Sequence, residues 1–317
     1  MEIPDGLVGA RVSLRHRVGE RDGRPLFSDA VGELRTDGPD AVQVRTRRGP
    51  VRVERAAVVA VRAVPPAPPR RAPLAAVVRL EGLCADAWPA PVDRPLGQWR
   101  LRAAGGYTGR SDSALAIGDP GVPVGEALTE VRRFAREHGI KARVHAPVGS
   151  PWERAVTGEG WVLDVGHAAG AESAVLVAPL TGAPDPRVEL AEGPSDEWWM
   201  LALGGSPTPA QRHVIAPEGP PLTVFALLRG ASGEALGQLR GAVVADHLHL
   251  SLLKVAPSAR RQGLATALVG AVAAWGQKRG ARWSVLQVAV HNTGALALYE
   301  RLGHVEHHRY RYFVPAR

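Results

Sequence analysis

The sequence predicts an α+β protein in which a small β-barrel precedes two copies of one mixed-sheet α+β unit, the first copy degenerate. Three observations carry that prediction. Residues 10–64 break into short segments of alternating apolar and polar residues, the signature of half-buried strands. The stretch VPPAPPRRAP, Val64 to Pro73, then interrupts the chain, and its prolines favour an extended, semi-rigid linker of about 3.1 Å per residue. Beyond it, one order of strand-like and helix-like segments occurs twice, which marks a repeated structural unit. With 317 residues, 45% hydrophobic and 22% charged, the chain is globular and long enough for two or three cores.

The barrel is expected over residues 1–64. RVSLRHRV, VGELR, AVQVR, VRVE and AVVAVRAV supply five strands, with the turn-rich RTRRGP between two of them, a spacing that suits an SH3-like barrel. Phe27 is its only aromatic residue. Polyproline grooves and single-strand nucleic-acid platforms both rest on aromatic side chains, so structural packing is favoured over peptide or nucleic-acid capture. The linker is expected over 65–75.

The two copies are expected over 76–182 and 183–317. The first reads SALAIGDP, PVGEALTEVRRFAREHG, IKARVHAP, SPWERAVTGEG and SAVLVAPL; the second reads LHLSLLKV, LATALVGAVAAWGQKRG, ARWSVLQVAV, NTGALALYERLG and EHHRYRYFV. Matching Gly139 to Gly280 sets Leu128 on Val269, Val131 on Val272 and Phe134 on Trp275, so the apolar helix faces coincide. The same match sets Asp119 opposite Arg260 and Val122 opposite Gly263. Whatever the second loop holds, the first has lost.

That second loop lies in VAPSARRQGLATALV, residues 255–269. A helix that starts near Gly263 presents unpaired backbone N–H groups and a partial positive charge, which together make an anion site. Gly263 permits close backbone approach, and Arg260 and Arg261 add fork-shaped donors suited to phosphate. Leu264, Leu268, Val272 and Trp275 fall on or near one helix face, which would pack on a sheet and hold the N-terminus steady. Further on, Asn292 is placed as the N-cap of a helix carrying Ala295, Leu298, Tyr299 and Leu302 on one face, with Gly303 as its stop.

Arg260, Arg261, Gln262, Gly263, Leu264 and Ala265 resemble the loop motif of the GNAT superfamily of N-acyltransferases, which is Gln or Arg, two residues, Gly, one residue, then Gly or Ala. The preceding VAP and the downstream LQVAVHNTGALALYERLG, with Asn292, Tyr299 and Gly303, strengthen the resemblance. It covers residues 183–317, and residues 76–182 look like a degenerate copy, as in tandem-GNAT proteins, some of which in actinobacteria carry an N-terminal barrel. One departure is LGH, ending at His304, where the family usually has LGF.

The resemblance implies acetyl-CoA, or a related acyl-CoA, as donor and an amine as acceptor, joined by direct attack in a ternary complex. It places the donor's pyrophosphate on Arg260, Arg261, Gln262, Gly263, Leu264, Ala265 and Thr266, with Asn292 as a secondary contact. The pantetheine would pair with Leu253, Lys254 and Val255. Pro257 ends ladder pairing beyond Val255, and a splayed edge in so apolar a strand would leave N–H groups that a pantetheine amide can meet. Tyr299 is implied as the proton donor to the departing thiolate. His249 stands where histone-acetylating members carry a glutamate and is the expected base, with His247 two residues away on the same face.

Trp99, Arg102, Tyr107 and Arg110, clustered around a glycine turn in the degenerate copy, are the candidate acceptor-pocket residues, against the reading of packing plus surface charge, which is favoured. Of Trp198 and Trp199, adjacent in an expected helix, at most one should face the pocket. No metal is expected: His307 and His308 should point to opposite faces of a strand, and Cys84, the only cysteine, excludes an intrachain disulfide and a cysteine zinc site.

Composition adds limits. The formal net charge is +8, and only Lys141, Lys254 and Lys278 among the 39 basic residues are lysine. Such a balance fits attraction of an anionic ligand or a solvated basic surface. The N-terminal MEIPDG has no apolar core, and no stretch approaches the roughly 18 apolar residues of a membrane span, so a cytoplasmic protein without membrane contact is expected. Two binding-class alternatives stand beside the enzyme, an acyl-CoA sensor and a nucleic-acid-associated regulator. A sensor has no need of the proton donor at Tyr299, and a nucleic-acid reader should interleave aromatic residues with its charges.

Overall fold

The computed structural model describes residues 3–46, 49–64 and 72–316, and the chain divides into two compact units, 1–70 and 71–317. In the N-terminal unit, β1 (Arg11–Arg21), β2 (Arg24–Thr36), β3 (Ala41–Thr46), β4 (Gly49–Glu54) and β5 (Val58–Ala63) form one antiparallel sheet in the order β4-β3-β2-β1-β5. Alternation puts Val12, Leu14, Ala30, Leu34, Val42, Val44 and Val53 inside. β2 is longer than VGELR predicts: residues 24–29 pair with the end of β1 as an exposed arm, where no side chain is buried and alternation leaves no trace. Most of the expected linker, residues 65–71, lies outside the described residues. Its last part does not, and Leu74 already begins a helix.

The second unit runs α1 (Leu74–Asp86), β6 (Val92–Leu96), β7 (Trp99–Ala103), β8 (Ala114–Leu115), α2 (Val124–Glu137), β9 (Val144–Pro147), α3 (Pro151–Gly158), β10 (Trp161–Leu163) and β11 (Glu172–Pro179). It continues with β12 (Val188–Ala191), α4 (Asp196–Leu203), α5 (Pro209–Ile215), β13 (Leu222–Arg229), β14 (Ala235–Val244), β15 (His247–Val255), α6 (Leu264–Gln277), β16 (Trp283–Ala289), α7 (Thr293–Arg301) and β17 (Val305–Pro315). Its strands form a single sheet in the order β12-β13-β14-β15-β16-β11-β17-β9-β8-β7-β6, with β10 beside β17. Only β8/β9 and β15/β16 are parallel, and these pairs occupy matching places in the two copies.

The repeat is real and its ends are exchanged. β11 closes the first copy in sequence, yet it lies between β16 and β17 of the second; β17 closes the second copy and pairs with β9 of the first. Val175, Val285, Tyr310 and Tyr312 fill one buried cluster along that seam. Glu81 of α1, fully buried, meets His308 Nε2 at 2.8 Å and His145 Nε2 at 3.2 Å, tying α1 to β17 and β9. A cut at 182/183 therefore divides the chain, not the sheet.

Helix α6 begins one residue earlier, relative to its closing glycine, than the Gly139–Gly280 match assumes. Aligning the first helical residues, Val124 and Leu264, sets Pro123 opposite Gly263 and Pro120 opposite Arg260. The first loop still lacks the arginines, and proline rather than Val122 stands where the second copy has its glycine. α6 packs Leu264, Leu268, Val272 and Trp275 into the same core as Val224, Leu239 and Leu248. Gly241 of β14 lets it lie close, since a Cβ there would meet Val272 at 2.6 Å.

Candidate active site

β15 and β16 pair only from His247/Trp283 to His249/Val285 and then diverge. β15 stays bonded to β14 as far as Val255 on its other edge, so the edge of Leu253–Val255 that faces the fork has no strand partner. The β14 ladder is interrupted as well: Gln238 pairs with Lys254 and Arg240 with Ser251, leaving Leu252 and Leu253 opposite the single Leu239. This bulge holds Leu252 at φ 59°, a conformation that costs a branched residue energy and is kept only where surroundings impose it. Gln238 Nε2 donates to the Leu252 carbonyl at 2.5 Å, fixing the bulge from behind.

The loop beyond β15 turns on two left-handed residues, Arg261 (φ 64°) and Gly263 (φ 76°). Gly263 is the N-cap of α6 and no side chain caps that helix, so its first N–H groups face outward unclaimed. A cavity of about 880 Å³ lies here, walled by Leu253–Val255, by Arg260, Arg261 and Gly263–Thr266, and by the exposed side of α7. Lys254, Arg260, Arg261 and Arg301 line it and no acidic residue does. Asn292 Oδ1 accepts from the Ala295 N–H at 3.1 Å, which seats the start of α7 against the fork.

A smaller cavity of about 220 Å³ adjoins the first through Leu253, Asn292 and Ala295. Tyr299, Ser251, Gln287 and Arg110 are among its walls. Tyr299 is 5% exposed, and burial pushes its phenol above the ordinary value of 10, so it keeps its proton. Its ring meets His304 edge-on at 5.2 Å, and His304 Nε2 lies 2.9 Å from Ser284 Oγ. The histidine that replaces the usual phenylalanine is thus packed and bonded.

These features and their order along the chain decide the family. A family model described as "Probable histone acetyltransferase Rv0428c C-terminal" matches residues 75–313, and one described as "Rv0428c N-terminal Sm-like domain" matches residues 7–62. The chain belongs to this family. Its relative in Mycobacterium tuberculosis, "Probable histone acetyltransferase Rv0428c", is 32% identical over 314 residues, spanning 98% of this chain and 95% of that protein. "Uncharacterized N-acetyltransferase YobR" of Bacillus subtilis is 26% identical over 243 residues, 74% of this chain and 97% of that one.

Among solved structures, a GCN5-related N-acetyltransferase from Kribbella flavida aligns with a TM-score of 0.53 at 18% identity, over 75% of this chain and 93% of its own. A tandem GNAT protein from the clavulanic acid biosynthesis pathway aligns at 0.50 with 15% identity, over 80% and 88%. The Rv0428c-family chain is accordingly an acetyltransferase with a tandem GNAT fold behind a small β domain. That domain is Sm-like, where the strand spacing alone predicted SH3-like.

Among the residues singled out in the sequence, the fold of this family member gathers Leu253 to Val255, Arg260, Arg261, Gly263 to Thr266, Asn292 and Tyr299 around two adjoining cavities, and Gln262 lines neither. His249 sits at the last paired position of the fork, 1% exposed, and does not line either cavity. Burial, then Arg110 and Arg240, hold its imidazole well below the ordinary 6.5. His247 turns instead to Asp246, 2.8 Å away.

The acceptor-side residues divide. Tyr107 stacks on Trp88 and Arg110 reaches the smaller cavity, both carried by a loop that Asp112 gathers by accepting from the N–H groups of Ala104, Gly106 and Thr108. Trp99 is core, with Nε1 donating to the Gly118 carbonyl, and Arg102 is buried on Ser113. Three residues apart on β7, they point to opposite faces of a strand that has no exposed residue, so their burial follows from the strand's place in the sheet rather than from the glycine turn. Trp198 and Trp199 both pack with Phe225 and Val214, and neither lines the two cavities.

His307 and His308 were expected on opposite faces, yet their Nδ1 atoms lie 2.7 Å apart. The register of β17 against β11 shifts between His308 and Glu306, and that irregularity at His307 breaks the alternation. Among the described residues no group of three or more side chains is arranged to hold a metal ion, and no helix is long and apolar enough to cross a membrane.

Sequence reasoning missed Trp88, Gln238, Arg240 and Arg301. For Arg240 one signal was there, an arginine inside the strand-like LGQLRGAVV; for Trp88 there was none.

Proposed function

We propose that this chain transfers the acetyl group of acetyl-CoA to an amine at the fork between β15 and β16. The observation that carries the reading is the juxtaposition, at one opening in the sheet, of a free strand edge, an uncapped helix N-terminus ringed by four cations without a carboxylate, and a protonated tyrosine at the narrow end.

The parts fit the donor. Arg260, Arg261 and the N–H groups after Gly263 suit a pyrophosphate, with Lys254 and Arg301 flanking it. The free edge of Leu253–Val255 offers ladder groups to an amide-bearing arm. The bulge at Leu252 and Leu253 frees backbone groups at the place where charge would develop on the thioester oxygen. Nitrogen–carbon bond formation and carbon–sulfur cleavage leave one thiolate and one surplus proton on the amine. Tyr299 gives its proton to the thiolate, the amine releases its proton to water, and Tyr299 is reprotonated from solvent. His249, kept neutral, is a weak proton acceptor in this reading.

Thiol release from acetyl-CoA over a panel of amines tests it, with wild type and Tyr299→Phe side by side. With an amine that is turned over, Tyr299→Phe should keep donor affinity and lower kcat by roughly 10²-fold, the lower end of general-acid effects. Turnover at the wild-type rate would remove Tyr299 from the chemistry.

A further inference from the structure

The side of the smaller cavity that faces away from the cation-ringed loop carries positive charge of its own. Arg240 is 0% exposed. Its Nε donates to the Ile215 carbonyl at 2.6 Å, its Nη1 lies 3.4 Å from Ser251 Oγ, and its Nη2 has no partner. Arg110 donates from Nη1 to Gln287 Oε1 at 3.2 Å. The guanidinium carbons of Arg110 and Arg240 lie 4.8 and 5.2 Å from the centre of the same Trp88 ring. Ser251, Gln287 and Arg110 are walls of the smaller cavity that the larger one does not share, and Arg240 lines neither cavity but stands behind Ser251.

No carboxylate is among the groups that act on Arg240: burial and Arg110 bring its guanidinium down to about 9, and Tyr107 acts in the opposite direction. Two cations this close, one fully buried, are unfavourable unless an anion joins them. Both nitrogens of His249, beside them, also lack a well-formed hydrogen bond, so the cluster holds unsatisfied polar atoms on two side chains.

We infer that Arg110, backed by Arg240 behind the Ser251 wall, forms the acceptor subsite and that the acceptor is a small amine bearing a carboxylate, an amino-acid-like zwitterion. This rests on the acetyl-transfer reading, because the donor's place in the larger cavity is what leaves the Arg110 side to the acceptor. The pair suits such a molecule twice over. A guanidinium binds a carboxylate through two parallel hydrogen bonds, and a neighbouring cation disfavours the ammonium form of the amine, bringing it closer to the free base that attacks. A volume of about 220 Å³ suits a metabolite. A lysine-rich tail would bring further positive charge to a positive pocket.

Matched acceptors test the inference: an amino acid, its carboxamide and its decarboxylated amine, across several side chains, with lysine-rich peptides for comparison. Thiol release from saturating acetyl-CoA and the thermal shift of the CoA-bound full chain are both read. The carboxylate member should exceed its amide in kcat/KM by at least about tenfold, one charge-assisted contact. Arg110→Met and Arg240→Met should reduce that ratio to about 2 or less through KM, with acetyl-CoA affinity unchanged, and Arg240→Lys should restore part of it.

Equal or better use of amides or lysine-rich peptides would overturn the inference. So would the absence of both turnover and thermal shift for every carboxylate in a protein that binds acetyl-CoA. If Arg240→Met does not fold, the half-exposed Arg110 carries the comparison. Failure to bind acetyl-CoA at all would instead remove the acetyl-transfer reading beneath it.

Discussion

His249 and His304 are held neutral by the fold, which sets how the protein responds to acid. Burial lowers both below the ordinary 6.5, and for His249 the nearby Arg110 and Arg240 add to it. In the unfolded chain each takes up a proton near pH 6.5. Below that pH the unfolded state binds more protons than the folded one, so stability is present above about 6.5 and is lost as pH falls, by up to roughly 1.4 kcal/mol per pH unit for each group. The melting temperature should therefore drop by several degrees between pH 7.5 and 5.5, and His249→Leu should flatten part of the slope. A melting temperature that is constant over that range would contradict this account of the two environments.

At this scale the loop was legible: arginines and a glycine before an apolar helix have a local meaning, as does an Asn at a helix start. Arg240 was legible only as an arginine inside an apolar strand; which groups surround it there is set by the fold and is not recorded in any one stretch of sequence.

Elements were legible where periodicity is long and hidden where it is short or broken. Helices α2, α6 and α7 follow their apolar spacing closely. β8 is two residues long, β15 carries a bulge and β17 a register shift, and none of these leaves an alternating pattern to read. Strand partners are less visible still. Nothing in SAVLVAPL says that β11 will pair with ARWSVLQVAV rather than with its own copy, since both are apolar runs fit for a buried sheet. The exchange has a consequence for fragments. Residues 183–317 alone would lack β11, leaving β16 and β17 with open edges and the Val175 side of the buried cluster empty. Such edges template aggregation. Expressed alone, that segment should be insoluble or lack cooperative melting, and adding β11 through a fused or co-expressed 72–182 should recover it. A soluble, cooperatively melting 183–317 monomer would show that the exchanged strands are not required.

On the scale of the whole molecule, duplication has left one arginine loop and one remnant of it. The first copy keeps the strand-helix-strand frame of β8, α2 and β9, but Pro120 to Pro123 replace the arginine loop and Pro123, not an open glycine, caps α2. Its part of the unit supplies instead Trp88, Tyr107 and Arg110 to the far side of the second copy's fork. This division of labour follows from the continuous sheet, which seats the first copy against the opening of the second. The central claim is that the opening at Arg260–Thr266 and Leu253–Val255 is the single acetyl-CoA site. Calorimetric titration of the full chain with acetyl-CoA tests it most directly. One molecule should bind per chain, and a folded Arg260→Ala/Arg261→Ala protein should bind about tenfold or more weaker through loss of charge-assisted contacts. Two comparable sites, or unchanged affinity in that double variant, would contradict it.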